Sequence, residues 1–213
     1  MNWNYRMRLY MKEHLPLYLF VSVLFVMGVI FGALMVGALS TGQKEEMARH
    51  VNSFIQIVHQ GDELGGQTTF RDSISLHLKW IGLIWILGLS VIGLPFIFLL
   101  DFLKGVLVGF SVGYLVGQLS WKGMLFAFVS IAPQNLIVIP ALVLCSVSAC
   151  AFSLYLVKNR FVQKRGTLYP TFVRYTSLTL CMGALLFGVA MFEAYMSPVM
   201  IKWVAPMLVA GAG

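Results

Sequence analysis

Charged residues are scarce in this chain of 213 residues. Aspartate, glutamate, lysine and arginine make up 11% of it, whereas hydrophobic residues make up 59% and the mean hydropathy is +0.85. Soluble domains carry roughly 25% charged residues, so the composition excludes an ordinary soluble protein and predicts an integral membrane protein. The longest polar stretch, 40–79, is too short for a second, soluble domain. We therefore expect a single membrane domain over residues 1–213.

Patterns typical of disulfides, metal sites and catalysis are also lacking. Cys145, Cys150 and Cys181 lie in apolar segments, which favours small packing residues over disulfides or metal ligands. The four histidines share no helical spacing, and no H-E-x-x-H motif, nucleophile motif or phosphate-binding glycine loop is present. These absences predict a protein that is not an enzyme and has no cofactor or metal.

Apolar segments of about 20 residues, the length that crosses roughly 30 Å of hydrocarbon, occur five times. They cover 16–39, 80–100, 102–119, 136–157 and 175–195. Asp101 and Lys104, at i, i+3 spacing, predict a polar turn between the second and third segments. The expected fold is therefore an all-α, polytopic integral membrane protein with about five transmembrane helices.

One uncharged stretch, 123–157, is too long for a single crossing, because as one helix it would measure roughly 52 Å. Pro133, with Gln134 and Asn135 beside it, predicts a break, since proline removes a backbone donor. The two amides either line a path for a small solute or satisfy the broken backbone locally. The piece 124–132 is too short to cross and is predicted to be an interfacial or re-entrant segment.

The basic residues predict the orientation. With 1–15, the turn at Asp101 and Lys104, and 158–174 in the cytoplasm, the inner segments hold nine basic and two acidic residues, a net +7, and the outer segments hold six of each. The N-terminus is therefore expected inside and the C-terminus outside. Because all the net charge faces the cytoplasmic leaflet, it needs no nucleic-acid partner.

The loop 40–79 is the only sizeable extracytoplasmic piece in this topology. A narrow apolar stripe repeats at helical spacing along its first half: Met47, Val51, Phe54, Ile55 and Val58. After a glycine-rich break at 61–66, a second amphipathic pattern runs into the second span. We predict two amphipathic helices that form an external hairpin or cap, whose stripes lie either on the membrane and the bundle or on a partner.

Small residues mark a packing face. Gly105, Gly109, Gly113 and Gly117 recur at four-residue intervals in the third span, and Gly28 and Gly32 form a similar pair in the first. Such strips let helices approach closely in lipid. The partner helix can belong to this chain, to a second copy or to another protein. No convincing internal repeat is evident.

Paired charges within the spans are not expected. Glu193 is the one acidic residue deep in a predicted span, and its position places it near the outer surface. Ion and solute paths usually show paired intramembrane charges, so this absence favours a scaffold over a permease.

The glycines of the first and third spans, together with Pro133-Gln134-Asn135 and Pro140, resemble the stage II sporulation protein M family, especially its endospore-former branch. In many relatives the stretch runs Pro-His-Gly, two aliphatics, Glu, an aliphatic and Pro. Here Gln134, Asn135 and Val138 replace the His, Gly and Glu.

The resemblance implies a scaffold for forespore engulfment. It also implies a multi-pass protein of the bacterial cell membrane, located in the mother-cell membrane at the sporulation septum. The implied partners are stage II sporulation proteins D and P, which degrade peptidoglycan. The alternative is a small permease, or the membrane subunit of a transporter, that uses the break at Pro133.

Overall fold

The computed structural model describes the backbone of residues 3–60, 64–159 and 168–209, with side chains at 14–50, 53, 70–118, 121–159 and 168–195. Regular structure in these ranges is helical throughout, and they contain no strand. The α-helices are α1 (Trp3–Met35), α2 (Thr41–Gln60), α3 (Leu64–Gly88), α4 (Gly93–Ser130), α5 (Ala132–Val157) and α6 (Leu168–Val209), and a 3-10 turn, Val36–Ala38, follows α1. The all-α prediction is confirmed.

Four helical segments in the described ranges are long and apolar enough to cross a membrane. They are His14–Ala38, Gly93–Gln118, Ala132–Val157 and Leu168–Tyr195. These segments overlap the first, third, fourth and fifth predicted spans. The chain is therefore a polytopic membrane protein by the length and composition of its helices.

The second predicted span, 80–100, is wrong in its boundaries, because the non-helical turn 89–92 divides it between α3 and α4. Backbone bonds close this turn: the Leu89 N–H donates to the Ile86 carbonyl at 3.2 Å and the Gly93 N–H to that of Ser90 at 3.1 Å. The turn carries no charged residue, so hydropathy alone cannot find it.

The predicted polar turn at Asp101 and Lys104 is also wrong. Both residues lie inside α4, and both are buried. Charged side chains indicate a turn only where a helix meets water, and here the neighbouring helices cover them.

The last turn of α3 is covered by α5 and α6. The Ser153 hydroxyl donates to the carbonyls of Gly88 at 2.7 Å and of Ser90 at 3.2 Å. The Tyr175 hydroxyl donates to the carbonyls of Ile84 and Trp85 at 3.2 and 3.0 Å. The bonds to Trp85 and Gly88 satisfy carbonyls of the last turn, which a helix end leaves without an intrahelical donor.

Helices α1 and α4 run parallel. Phe20 packs edge-on against Phe98 near the start of α4, with ring centroids 5.0 Å apart. Further along, a Cβ at Gly117 would lie 3.9 Å from Val36 Cγ1. The contacts thus advance in the same direction on both helices.

Because α3 ends just before α4 begins, it must carry the chain back along the bundle. The start of α2 lies at the opposite end, where the Tyr114 hydroxyl donates to the Lys44 carbonyl at 3.0 Å. Helix α3 contains charged residues and is not among the apolar segments, but its face with Trp80, Ile81 and Ile84 is buried. Neighbouring helices shield this face, so α3 does not need to be apolar all round.

The predicted break near Pro133 is present at Ile131, between α4 and α5, with Pro133 in the first turn of α5. At this position the missing N–H of proline disturbs no helical bond. Contrary to the prediction, the segment 124–132 does not form a helix of its own. It consists of the end of α4 and the first residue of α5. Helix α5 continues through Pro140.

Helix α4 must bend. In a straight helix, Asp101 would lie about 44 Å from Ser130. The residues between Ser130 and Ser146 can span at most about 28 Å, because most of them are helical. Yet Asp101 and Ser146 share a hydrogen bond of 2.8 Å. The bend brings the charged part of α4 against the middle of α5.

The core is built around α5, which contacts α1, α3, α4 and α6. Cys145 and Cys150 are free thiols that are fully buried there, as expected of packing residues, whereas the free Cys181 is exposed. Small side chains on α5 let four other helices approach it closely.

The amphipathic helices predicted over 40–79 also follow the sequence. Ser40 and Gln43 form a capping box at the start of α2: the Ser40 N–H donates to Gln43 Oε1 at 3.0 Å and the Gln43 N–H donates to Ser40 Oγ at 3.4 Å. The second amphipathic pattern runs into the following helix, as predicted, because α3 is continuous over Leu64–Gly88.

Candidate functional site

The closest helix contact in the described chain joins α1 and α4 through glycines. A Cβ on Gly28 would collide with the Phe102 carbonyl and lie 3.2 Å from the Gly105 Cα, and a Cβ on Gly105 would collide with the Phe25 carbonyl and lie 3.2 Å from the Gly28 Cα. The two glycines therefore face each other, and only hydrogen fits at either position.

The contact continues one turn further along both helices. A Cβ at Gly32 would lie 2.8 Å from the Phe110 nitrogen, and one at Gly109 would lie 2.6 Å from the Val29 carbonyl carbon. A Cβ at Gly113 would lie 3.0 Å from the Ala33 Cα, whereas one at Gly117 would make ordinary contact. The predicted strip is thus tight at its first two glycines and opens towards its end.

The paired segments resemble each other in sequence over one short stretch. Residues 25–32 read Phe-Val-Met-Gly-Val-Ile-Phe-Gly, and residues 102–109 read Phe-Leu-Lys-Gly-Val-Leu-Val-Gly. Phenylalanine, glycine, valine and glycine coincide, and the facing pair Gly28 and Gly105 occupies the same position in both. The two helices therefore present nearly equivalent surfaces to each other.

Polar groups gather where α3, α4, α5 and α6 meet. Asp101 on α4 is only 5% exposed, and its Oδ1 accepts a hydrogen bond from the fully buried Ser146 hydroxyl of α5 at 2.8 Å. Lys104, one turn further along α4, places Nζ 5.6 Å from the centroid of the Trp80 ring on α3. The ring attracts the ammonium group by a cation–π interaction.

His77 and Glu193 complete this group. Nε2 of His77 on α3 lies 3.4 Å from Oε2 of Glu193 on α6, and the two side chains are 8% and 21% exposed. The Glu193 carboxylate is also within electrostatic reach of Lys104. We call His77, Asp101, Lys104, Ser146 and Glu193 the polar cluster.

The polar cluster corrects the expectation that paired charges are missing from the spans. Asp101 and Lys104 lie within the segment Gly93–Gln118, and Glu193 faces the bundle instead of only the outer surface. The pairs join residues far apart in sequence, so local spacing does not reveal them. One signal was available: Asp101 and Lys104 interrupt an otherwise apolar run, and such residues mark function more often than loops.

At the break, the structure assigns a local role to one amide. Asn135 Nδ2 donates to the Ile131 carbonyl at 2.9 Å, and the Asn135 N–H donates to the same oxygen at 3.3 Å. The side-chain amide thus adds a second donor to the carbonyl at which α5 begins. Gln134 is half-buried and Pro140 is exposed.

The predicted apolar stripe of α2 is described only at its first residue. Met47 is half-buried and, with residues of α2 and α4, lines an open apolar pocket of about 300 Å³: His50, Phe110, Ser111, Tyr114, Leu115 and Phe126. The side chains of Val51, Phe54, Ile55 and Val58 lie outside the described residues. In the described residues, the start of α2 therefore packs against the end of α4.

A metal centre is not evident in the ranges that the structure describes, which contain no group of three or more histidine, cysteine, aspartate or glutamate residues suited to a metal ion. The polar cluster brings together carboxylate, ammonium, imidazole and hydroxyl groups. This arrangement places ionisable groups inside the bundle.

Comparison with known protein families matches residues 21–198 to the family described as stage II sporulation protein M. The match covers most of the chain: the second half of α1, all of α2 to α5 and the membrane segment of α6. No curated protein and no solved structure matches the chain.

Proposed function

This chain belongs to the stage II sporulation protein M family, and from that premise we propose that it is a non-enzymatic scaffold for forespore engulfment. Family and helices together make it a sporulation-related membrane protein. The proposal adds that it recruits and anchors peptidoglycan hydrolases, stage II sporulation proteins D and P, at the mother-cell membrane of the septum.

The family match over residues 21–198 carries this proposal. The position of α2 supports it, since α2 begins at the end of the bundle opposite the turn between α3 and α4. With the N-terminus in the cytoplasm, that end faces the cell wall. A scaffold for wall hydrolases needs such an outward surface.

The parallel course of α1 and α4 supports the proposed topology. If both helices cross outward, α3 must cross inward between them, although it is less apolar. The sequence assigned Asp101 and Lys104 to the cytoplasmic side, whereas the structure places them inside the bundle. Because their charges cancel, the excess of +7 on the cytoplasmic side is unchanged. Five crossings place the N-terminus inside and the C-terminus outside.

Copurification tests the scaffold. The full chain, solubilised from membranes of sporulating cells, should retain wall hydrolases, and Gly109→Leu should retain fewer than Leu107→Ala at equal expression. Gly109 packs on the Val29 backbone, whereas Leu107 is exposed. Retention of an ATPase subunit in place of hydrolases would replace the scaffold with a transporter.

The polar cluster favours a second candidate, a small permease, because intramembrane charges often mark solute paths. The break at Pro133 supports this candidate less, since Asn135 is engaged locally. Reconstituted wild type should then pass small ions or sugars into liposomes, and Asp101→Asn should abolish the flux. Absence of flux for both would leave the scaffold.

A further inference from the structure

The pocket between α2 and α4 lies where the hydrocarbon of the bilayer meets the headgroup layer. Its α4 wall contains Tyr114, which belongs to the apolar segment Gly93–Gln118 and lies about 6 Å of helix rise before the end of that segment. Its α2 wall consists of Met47 and His50, on an amphipathic helix that is not among the apolar segments. The pocket therefore opens at the depth where the acyl chains of one leaflet begin.

The hydroxyl groups in the walls of this pocket are already engaged within the protein. The Tyr114 hydroxyl donates to the Lys44 carbonyl at 3.0 Å. The Ser111 hydroxyl donates to the Leu107 carbonyl at 2.9 Å. The other described lining residues are apolar except His50, which is exposed at the rim. A polar ligand would lose its hydrogen bonds to water inside the pocket and find no donor in the walls to replace them. The walls therefore suit hydrocarbon.

The size of the pocket favours a single flexible chain. Its volume is about 300 Å³, which corresponds to about ten water molecules, and these would meet mostly apolar walls. A helix of a partner protein, about 10–12 Å across with its side chains, is too thick for the pocket. A single acyl chain fits, and it restores the van der Waals contacts that the walls lack when the pocket is empty.

We propose that this pocket binds one acyl chain of a phospholipid, whose headgroup lies beside His50 at the rim. An imidazole N–H can donate a hydrogen bond to a phosphate oxygen. Lipid reaches the pocket along the surface of α4, because Ser111 in the lining and Leu107, one turn earlier on the same face, are both exposed. The bound lipid contacts both α2 and α4. The proposal stands whether the chain is a scaffold or a permease.

Photolabelling of the full chain in lipid vesicles tests the proposal. The vesicles consist of phosphatidylethanolamine and phosphatidylglycerol, with a trace of phosphatidylethanolamine that carries a diazirine on one acyl chain. After illumination, mass spectrometry of peptides locates the label. Lipids on the general surface label exposed residues such as Leu19 and Leu34 of α1. A chain in the pocket also labels Leu115 and Phe126, which are only 7% and 4% exposed.

Filling the pocket from its own wall should remove this label. Ser111→Phe places a ring at the lining and should lower the labelling of Leu115 and Phe126 by about tenfold, because two groups cannot share a close-packed space. Leu107→Phe is the matched control, since it adds the same ring one turn earlier, on an exposed residue outside the lining. It should keep the wild-type labelling. The label on Leu19 should be equal in all three proteins.

A wild type labelled at Leu19 and Leu34 but at neither Leu115 nor Phe126 would overturn the proposal and assign the pocket to a protein segment. Unchanged labelling of Phe126 in a folded Ser111→Phe variant would overturn it equally. If that variant does not fold, native mass spectrometry of the wild type decides. In a detergent that removes the lipids of the general surface, the chain should retain a single phospholipid, and retention of none would overturn the site.

Discussion

Gly28 and Gly105 face each other across the contact between α1 and α4, so that a Cβ on either would lie 3.2 Å from the Cα of the other. This contact sets the distance between the first helix and the helix that carries Asp101 and Lys104. A change at the glycine contact therefore alters the packing on which the polar cluster depends.

The glycines should differ in their tolerance of a methyl group. Gly109→Ala should destabilise the chain most, by about 1–3 kcal/mol, because its Cβ would meet the Val29 backbone, which moves only with the whole helix. Gly113→Ala should have a smaller effect and Gly117→Ala almost none. Thermal unfolding in nanodiscs measures the order.

Gly188→Ala is the matched control for this series, since a methyl group added at this position of α6 would have nothing within 4 Å. It should unfold like the wild type. An equal loss in Gly109→Ala, Gly117→Ala and Gly188→Ala would mean that the α1–α4 contact does not limit stability.

Sequence reasoning located the elements that local patterns encode. The four-residue glycine interval, the break at Pro133 and the amphipathic helices α2 and α3 all follow from spacing within a single segment. It misplaced the turn between α3 and α4, because Asp101 and Lys104 looked like surface residues, whereas the real turn, 89–92, is uncharged. Other helices bury Asp101 and Lys104, although local hydropathy predicts that both are exposed.

Long-range pairs could not be predicted in this way. His77 and Glu193 lie on α3 and α6, and neither residue has a local feature that identifies the other. The same holds for Asp101 and Ser146. Which charged residues enter the bundle depends on how five helices pack, and only the assembled fold determines this.

Reporters should define the topology. A reporter inserted in the turn 89–92, or in the segment 158–167, should behave as cytoplasmic, and a reporter after Gly213 as extracytoplasmic. The reason is the excess of basic residues on the N-terminal side combined with the parallel course of α1 and α4. An extracytoplasmic signal from 89–92 would mean that α3 does not cross the membrane.

The amide of Asn135 should stabilise the junction between α4 and α5. Asn135→Ala removes the bond from Nδ2 to the Ile131 carbonyl, which keeps its backbone donor, and should lower the free energy of unfolding by about 0.5–1.5 kcal/mol. Gln134→Ala is the control, because the adjacent amide makes no hydrogen bond in the described part of the chain. Unfolding in nanodiscs compares the two. Equal losses of unfolding free energy in the two variants would show that the bond from Asn135 Nδ2 to the Ile131 carbonyl gives no specific stabilisation.

The hydroxyl of Ser146 should matter because its partner is a buried carboxyl group. Ser146→Ala leaves both Asp101 oxygens without a hydrogen-bond donor inside the bundle, and an unsatisfied buried polar group costs about 1–3 kcal/mol. We expect a loss of that size in the free energy of unfolding. Ser148→Ala, at another buried serine of α5, should cost less, since its hydroxyl does not contact the carboxylate.

Combining Ser146→Ala with Asp101→Asn isolates the interaction. The amide of the second substitution carries no charge, so the missing hydroxyl should then cost less than it does beside the aspartate. A double-mutant cycle measures this difference as a coupling energy. A coupling energy near zero would mean that Ser146 stabilises α5 by packing alone, and that Asp101 draws its stability from the rest of the polar cluster.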